Sequence, residues 1–383
     1  MKRASIIFIL LFSTIFTTSC WSRREIEDLG FVLGLGVSKT DEGLYSVVVQ
    51  VANPDAIAAD SSAKRDVYTI IKAEGLTVFD ALRNMSMIAG RRLYIAHIKA
   101  LVIDESVAKE GIRQVVSFLV QDMEVRLEME VFISKIPPEE IFDTPNILRA
   151  IPASVMNIVA ENFGANNKIY VANLHETAEA INNPVLNYVT TLVEKLPSPS
   201  EKELPQLKLS QIAIFDDDKL KGYLDYEESQ AFNLITNNFR NGLIAFEYAP
   251  TNDKIIVESL SGTPIITPDY KDGKVSFDIE LKVEGNVAER IVKGDSAYEL
   301  DIIFLQNQLN QTLTDKLNKA ICDAQQKYEV DYFNLSQDFF RKYPKEFKEL
   351  KDDWNQVFSQ ADINVRVEST LLHSALNLNR GRI

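Results

Sequence analysis

Several residue groups have the types and spacing that chemistry uses. Gly34-Leu35-Gly36 follows an apolar, β-branched run, where a dinucleotide-binding loop would open. Such a loop needs a third glycine and then a helix; here Lys39 stands in that place and the pattern continues as a hairpin, so these glycines read as structural. Asp216, Asp218 and Glu227 fall at positions 1, 3 and 12 of a calcium-loop register. Leu220 and Lys221 occupy positions 5 and 6, where an oxygen ligand and a turn glycine are needed, and a hairpin turn is the better reading. The histidines are His97, His175 and His373, and none belongs to an H-E-x-x-H pair. His97, amid strand residues, reads as a hydrogen-bonded structural histidine. No Walker A sequence and no G-x-S-x-G elbow is present. Acidic pairs for glycosidase chemistry have no motif that argues for them. Composition and spacing thus single out no catalytic residues, no cofactor-binding residues and no metal ligands, which is weak evidence against an enzyme.

Cys20 carries different chemistry. Lys2 and Arg3 precede an apolar run from Ala4 to Phe16, followed by Thr17-Thr18-Ser19-Cys20. A positive start, an apolar stretch of secretory length and a small-residue exit describe an export signal. The run is shorter than the ~20 residues that span a bilayer. Cys20 closes it where a bacterial lipoprotein cysteine sits, although Thr17 replaces the usual Leu or Val three places earlier. The alternatives are an ordinary secretory signal that ends in cysteine and an uncleaved anchor. A diacylglyceryl thioether on Cys20 would give two acyl chains, at about 0.8 kcal/mol per buried CH₂, enough for stable anchoring. Cys322, within a helical pattern, reads as a small apolar packing residue.

The elements that would carry these residues are those of a folded protein. The chain has 383 residues, 46% hydrophobic and 25% charged, enough for two to three domains with their own cores. Lys and Arg total 41 against 55 Asp and Glu, a net charge of −14 that counts against nucleic acid as a partner. Two cysteines cannot build a disulfide framework.

Phe31–Ser38 and Leu44–Ala52 read as a hairpin and Tyr68–Ala73 as a strand. Thr77 caps a helix with Val78, Phe79, Leu82, Met85 and Ala89 on one face. A strand is expected at His97–Ile103, one helix over Glu105–Gln121, and a strand with one wet face where Leu127, Met129, Val131 and Ile133 alternate with acids. Pro197 to Pro205 marks a linker or exposed loop. Leu207–Phe215 and Lys221–Leu224 form a second hairpin, and further strands are expected at Lys254–Leu260, Lys274–Glu284 and Ile363–Leu371. Ile302, Leu305, Leu309, Leu313, Leu317 and Ile321 form the apolar stripe of a long helix, read as the face packed on the C-terminal sheet.

These residues also resemble a known family. Cys20-Trp21-Ser22-Arg23-Arg24-Glu25-Ile26-Glu27-Asp28-Leu29-Gly30-Phe31 is similar to the mature start of the C subunits of bacterial spore germinant receptors, the Ger(x)C lipoproteins. Ala96-His97-Ile98-Lys99-Ala100 through Gly111-Ile112, Ala213-Ile214-Phe215 with Gly222 and Glu228-Ser229, and Gln325 through Asp331, Asn334, Pro344 and Trp354 agree in order, with Ala96 and Asn334 standing where the family has glycine. The resemblance implies a three-domain α+β fold of mixed and antiparallel sheets flanked by helices. The expected units are a signal at 1–19, an α+β domain at 20–196, a hairpin and helix domain at 206–262, and a C-terminal α+β domain at 263–375. It implies a non-enzymatic receptor subunit attached by lipid at Cys20, on the outer face of the inner spore membrane, beside a multi-spanning A subunit and a transporter-like B subunit. Direct nutrient binding is left open, and the alternative is a lipoprotein that binds the solute itself.

Overall fold

In the computed structural model, which describes residues 28–53, 67–145, 150–162, 167–198, 200, 204–292 and 300–374, apolar runs too short for helices become the centre of a sheet. The first part of the chain runs β1 (Leu29–Lys39), β2 (Tyr45–Ala52), β3 (Tyr68–Gly75), α1 (Val78–Asn84), β4 (Arg92–Tyr94), β5 (Ala100–Asp104), α2 (Glu105–Glu110) and α3 (Arg113–Gln121). There follow β6 (Glu130–Ser134), α4 (Pro138–Phe142), α5 (Pro152–Glu161), β7 (Ala172–Asn173), α6 (Leu174–Asn182), β8 (Val189–Leu196), β9 (Gln206–Asp216) and β10 (Lys219–Leu224). The strands form one ten-stranded sheet, with main path β10-β9-β8-β6-β5-β1-β2-β3. Its four central strands are parallel, and an antiparallel pair closes each side.

A parallel centre needs cover on both faces. On one face, Val78 and Ala81 of α1, Met85 just after it, Val107 of α2, Val115 and Leu119 of α3 and Leu174 of α6 pack on Leu35, Val37 and Leu101. On the other, Phe142 of α4 and Ala153 and Met156 of α5 pack on Val102 and Phe132. Gln50, buried on β2, ties down that second layer by donating to the Phe142 carbonyl (2.7 Å) and accepting from the Ala153 N–H (3.1 Å). Gly34 and Gly36 lie on the same face of β1, and a Cβ at Gly34 would come within 2.5 Å of the Phe142 ring. These glycines let α4 approach the sheet, which is the structural role their sequence context indicated.

The second part runs α7 (Tyr226–Ile235), β11 (Arg240–Tyr248), β12 (Asp253–Lys271), β13 (Lys274–Ile291), α8 (Ile302–Asp323), α9 (Leu335–Lys342), α10 (Pro344–Leu350), α11 (Trp354–Ser359) and β14 (Asp362–Ser374). Its sheet has the order β11-β12-β13-β14, with β14 parallel to β13. Alternate residues Phe277, Ile279, Leu281 and Val283 are buried, and Asp278, Glu280, Lys282 and Glu284 between them face water. The expected stripe on α8 covers the buried side through Leu305, Leu309, Leu313, Leu317 and Ile321, while Ile302 is largely exposed.

Several expectations need correction. The strand expected from His97 begins at Ala100, and His97 ends a 3₁₀ turn beside Phe31 and Tyr94. The single helix over Glu105–Gln121 is two, broken at Gly111, whose φ of 132° a side chain would oppose and whose successor Ile112 donates to the Asp218 carbonyl. The strand expected to have a wet face begins only at Glu130, and Val131, Phe132 and Ile133 are all buried because it is a central strand. On α1 the buried residues are Val78 and Ala81, while Phe79 is 46% exposed. Cys322 is exposed on α8, contrary to a packing role. The strands on either side of the proline-rich segment, β8 and β9, are antiparallel neighbours, so no domain boundary falls between them, and β9 and β10 complete the first sheet. The boundary expected between 262 and 263 falls inside β12, and the 206–262 segment is therefore shared between the two sheets.

Candidate interaction surface

The later residues that carry the family resemblance, from Gln325 to Trp354, lie beside the place where the two sheets meet. One apolar cluster runs from Val185, just before β8, and Val189, Ile212 and Ile214 of the first sheet to Phe239, Phe277 and Leu313 of the second part. Asp331 sits fully buried at this joint. Its carboxylate accepts from the backbone N–H groups of Leu335 (3.1 Å) and Ser336 (2.8 Å) and from Trp354 Nε1 (2.8 Å). Burial pushes the carboxyl up to about 6, against those donors, which favour the charged form.

Asn334 has φ 60° and ψ 36°, the left-handed region that glycine and asparagine tolerate best, which explains asparagine where the family has glycine. Asn334 Oδ1 accepts from the Asn187 N–H at 2.6 Å, and Asn187 Nδ2 donates to the Asp331 carbonyl at 2.9 Å. Ser336 Oγ donates to the Val185 carbonyl at 2.7 Å. Gln325 Nε2 donates to the carbonyls of Phe358 and Ala361. Glu228 completes a capping box with Asp225 at the start of α7, and Gly222 leaves room for the Tyr328 ring. These motif residues make joints and caps.

The same holds for the acids of the calcium-like register. Asp216 Oδ1 accepts from Asn355 Nδ2 at 2.9 Å, Asp217 pairs with Arg113, and Asp218 accepts from the Arg113 N–H at 3.0 Å. Asp216 and Lys219 pair across the hairpin turn, as the sequence suggested. Glu227, the register's last position, pairs with Lys316 at 2.5 Å, away from the turn. His97 and His175 lie on different elements, and His373 is on β14. Among the described residues no three His, Cys, Asp or Glu side chains are grouped to hold a metal ion. Cys20 lies outside the described residues.

Two concavities among the described residues bear on function. A cleft of about 510 Å³ opens between the two parts, with Tyr170, Phe232 and Phe333 as aromatic wall and Glu176, Asp338 and Arg341 as charged groups. Arg341 pairs with Asp338 at 3.0 Å. The larger groove, about 1090 Å³, lies where the chain enters β1. Asp28, Phe79, Leu82, Arg83, Phe118 and Met123 are among its lining residues. The Phe79 and Phe118 rings are 5.6 Å apart, Arg83 stacks over Phe79 at 4.9 Å, and Arg92 pairs with Glu124 at 3.1 Å. Beside it Met87 and Ile88 are 79% and 64% exposed, and Met123 is fully exposed. The sequence pattern did not reveal this surface, because Met85-Ser86-Met87-Ile88-Ala89 reads as more core; only the closing Gly90 hinted that the helix had ended.

One buried acid gives a test of the first sheet. Glu130 opens β6, with Oε2 buried and without a hydrogen-bond partner. Burial, reinforced by Glu161, pushes its carboxyl up to about 8, while Asn157 and Lys99 oppose the shift. The unfolded chain releases this proton near 4.5 and the native chain near 8, so the stability linked to Glu130 is complete below 4.5 and is lost as pH rises through 8. Its size, reduced for residual exposure, is of the order of 3 kcal/mol. Glu130→Gln should flatten the fall in Tm between these pH values; an unchanged slope would refute the assignment.

Comparison with known proteins covers nearly the whole chain. Residues 22–195 match the family model for the spore germination protein N-terminal domain, and residues 210–375 match the model described as spore germination B3/GerAC like, C-terminal. Spore germination protein KC of Bacillus subtilis (strain 168) is 23% identical over 99% of this chain and 98% of its own length. Spore germination protein B3 of the same strain is 22% identical over 97% and 98%. The crystal structure of the GerBC protein superposes with a TM-score of 0.54 at 18% identity, covering 91% of this chain and 100% of that one, a likeness of fold. With both models matched in order over most of the chain, the chain belongs to the GerAC-type family of spore germination proteins, the C subunits of germinant receptors.

Proposed function

We propose that this chain is the lipid-anchored, non-catalytic C subunit of a nutrient germinant receptor. It is tethered through Cys20 to the outer face of the inner spore membrane and assembles there with multi-spanning A and B subunits. The observation that carries the reading is the use made of the family's residues: Asn334 and the Asp331 carbonyl bond Asn187 across the joint, and the Asp331 carboxylate, Trp354 and Gln325 hold segments of the second part together, so the surface is left to do the work. A protein of this kind acts by docking. A tether adds to that by raising its effective concentration beside membrane-embedded partners.

Spores lacking the chain should lose the response to one set of nutrients. The wild-type chain should restore it and Cys20→Ala should not. An unaltered response to every nutrient in the deletion would overturn the reading. The cleft between the two parts supports a second reading, solute binding by this chain itself. Titration of the purified protein with the nutrients of the lost response decides between them, since saturable binding abolished by Arg341→Ala favours the second.

A further inference from the structure

The groove where the chain enters the fold has features that pocket lining alone does not explain. Its rim is made by two loops, 85–91 and 122–129, which lead into β4 and β6. Leu29 pairs with Arg92, so the first described residues run beside the first of these loops. Asp28, Ser86, Arg91, Asp122 and Met123 border one depression. The end of the sheet that receives the chain is thus also the end that displays Met87, Ile88 and Met123. Large unbranched or β-branched apolar side chains grouped on loop tips are costly in water and mark a surface that is covered in use.

The charge here differs from that of the whole chain. The molecule carries −14, yet this depression brings Arg83, Arg91 and Arg92 together with Asp28, Asp122 and Glu124, three charges of each sign. Arg126 and Glu128, both exposed, follow in the second loop and leave the balance even. A phospholipid headgroup layer presents phosphates to the arginines, and this end is spared the repulsion the rest of the acidic body meets at such a layer. Distance adds to the argument. Cys20 precedes Asp28 by eight residues, which even fully extended span at most about 27 Å.

We propose that loops 85–91 and 122–129 form the face with which the protein rests on a phospholipid bilayer. Met87, Ile88 and Met123 enter the boundary between headgroups and acyl chains, and the rim arginines meet lipid phosphates. This deepens the anchored reading and rests on it: lipid at Cys20 holds this end at the bilayer, and the apolar loop tips fix its orientation. Contacts made by a shallow apolar patch add to an acyl anchor without replacing it.

The test uses the full chain carrying Cys322→Ser, so that a single introduced cysteine takes the label. Ile88→Cys and Met123→Cys report on the face, and Lys282→Cys, on the outer side of the second sheet, is the reference. The protein, purified from membranes, is placed in vesicles of phosphatidylethanolamine and phosphatidylglycerol containing brominated acyl chains. Labels at 88 and 123 should be quenched several-fold more than the label at 282. Equal quenching at all three positions would overturn the proposal. So would protection of residue 123 from aqueous iodide without quenching by lipid, which would assign the face to a protein partner. The intact mass of the amino terminus is measured on the same sample. An unmodified Cys20 defeats the anchor, and the face is then decided by the difference between the three samples, because any label on Cys20 is common to all of them; a modified Cys20 with equal quenching defeats the face and leaves the anchor. Met87→Glu with Met123→Glu should abolish the difference between positions 88 and 282.

Discussion

Cys20→Ala should abolish incorporation of labelled palmitate and leave residues 1–19 uncut. The cause lies in the order of events at the membrane: an acylated thioether forms on the cysteine, and the leader is removed just before it. Alanine offers no sulfur. The loss of label is complete, and a chain begun at Trp21, with neither leader nor acyl chains, should show a ratio of detergent-phase to aqueous-phase protein roughly a hundredfold or more below that of the wild type, because two acyl chains contribute about 0.8 kcal/mol for each CH₂ they bury. The acidic body, at −14 for the whole chain, has no net attraction of its own to an anionic membrane. Equal palmitate labelling of the two forms would show that Cys20 is not the attachment point. Thr17 makes this worth measuring directly, since the residue three places before the cysteine is ordinarily Leu or Val in lipoproteins of this kind.

Asp331→Ala should destabilise the protein by about 3–5 kcal/mol, the range expected when buried donors lose their acceptor. The side chain is fully buried and serves three N–H groups, from Leu335, Ser336 and Trp354. Removing it strands all three and opens a gap beside the Trp354 ring, which packs 5.3 Å from Phe339 and 5.3 Å from Phe347. Asp331→Asn keeps one acceptor oxygen and nearly the same shape, and should cost less than half as much. Trp354→Phe removes one of the three donors, so the cost of Asp331→Ala should be smaller in that background. The urea midpoint gives each value, and the asparagine variant keeps the test open if the alanine variant does not accumulate in folded form. A midpoint for Asp331→Ala within about 0.5 kcal/mol of the parent would show that the joint does not depend on this acid.

The features legible in the sequence were those determined within a short window. Thr77 capped its helix as expected, accepting from the Asp80 N–H at 3.1 Å. The hairpins at β1–β2 and β9–β10 followed from alternating apolar residues around polar turns, and the α8 stripe from its spacing. The strands of the parallel centre were harder, because a strand covered on both faces loses the alternation that marks an exposed one; Val131, Phe132 and Ile133 show this. The break at Gly111 depends on Asp218, more than a hundred residues away, and no local pattern carries that contact. Pairing of β8 with β9 across a proline-rich segment was equally non-local.

The candidate surface was hidden for another reason. Met85 is buried and Met87 is 79% exposed, two residues of one type in one short segment, and only the position of the chain in the fold separates them. The joint at Asp331 was visible only as a run of residues resembling a family motif. Its meaning, an acid that gathers three donors within the second part beside the Asn187–Asn334 contact with the first, required the fold.

Affinity capture of the tagged chain from detergent-solubilised inner spore membranes tests the account most directly. Two multi-spanning proteins should elute with it in stable proportion, and Cys20→Ala should recover neither. Elution of the wild-type chain alone, or its recovery from the aqueous extract of broken spores with a free Cys20 thiol, would contradict the account.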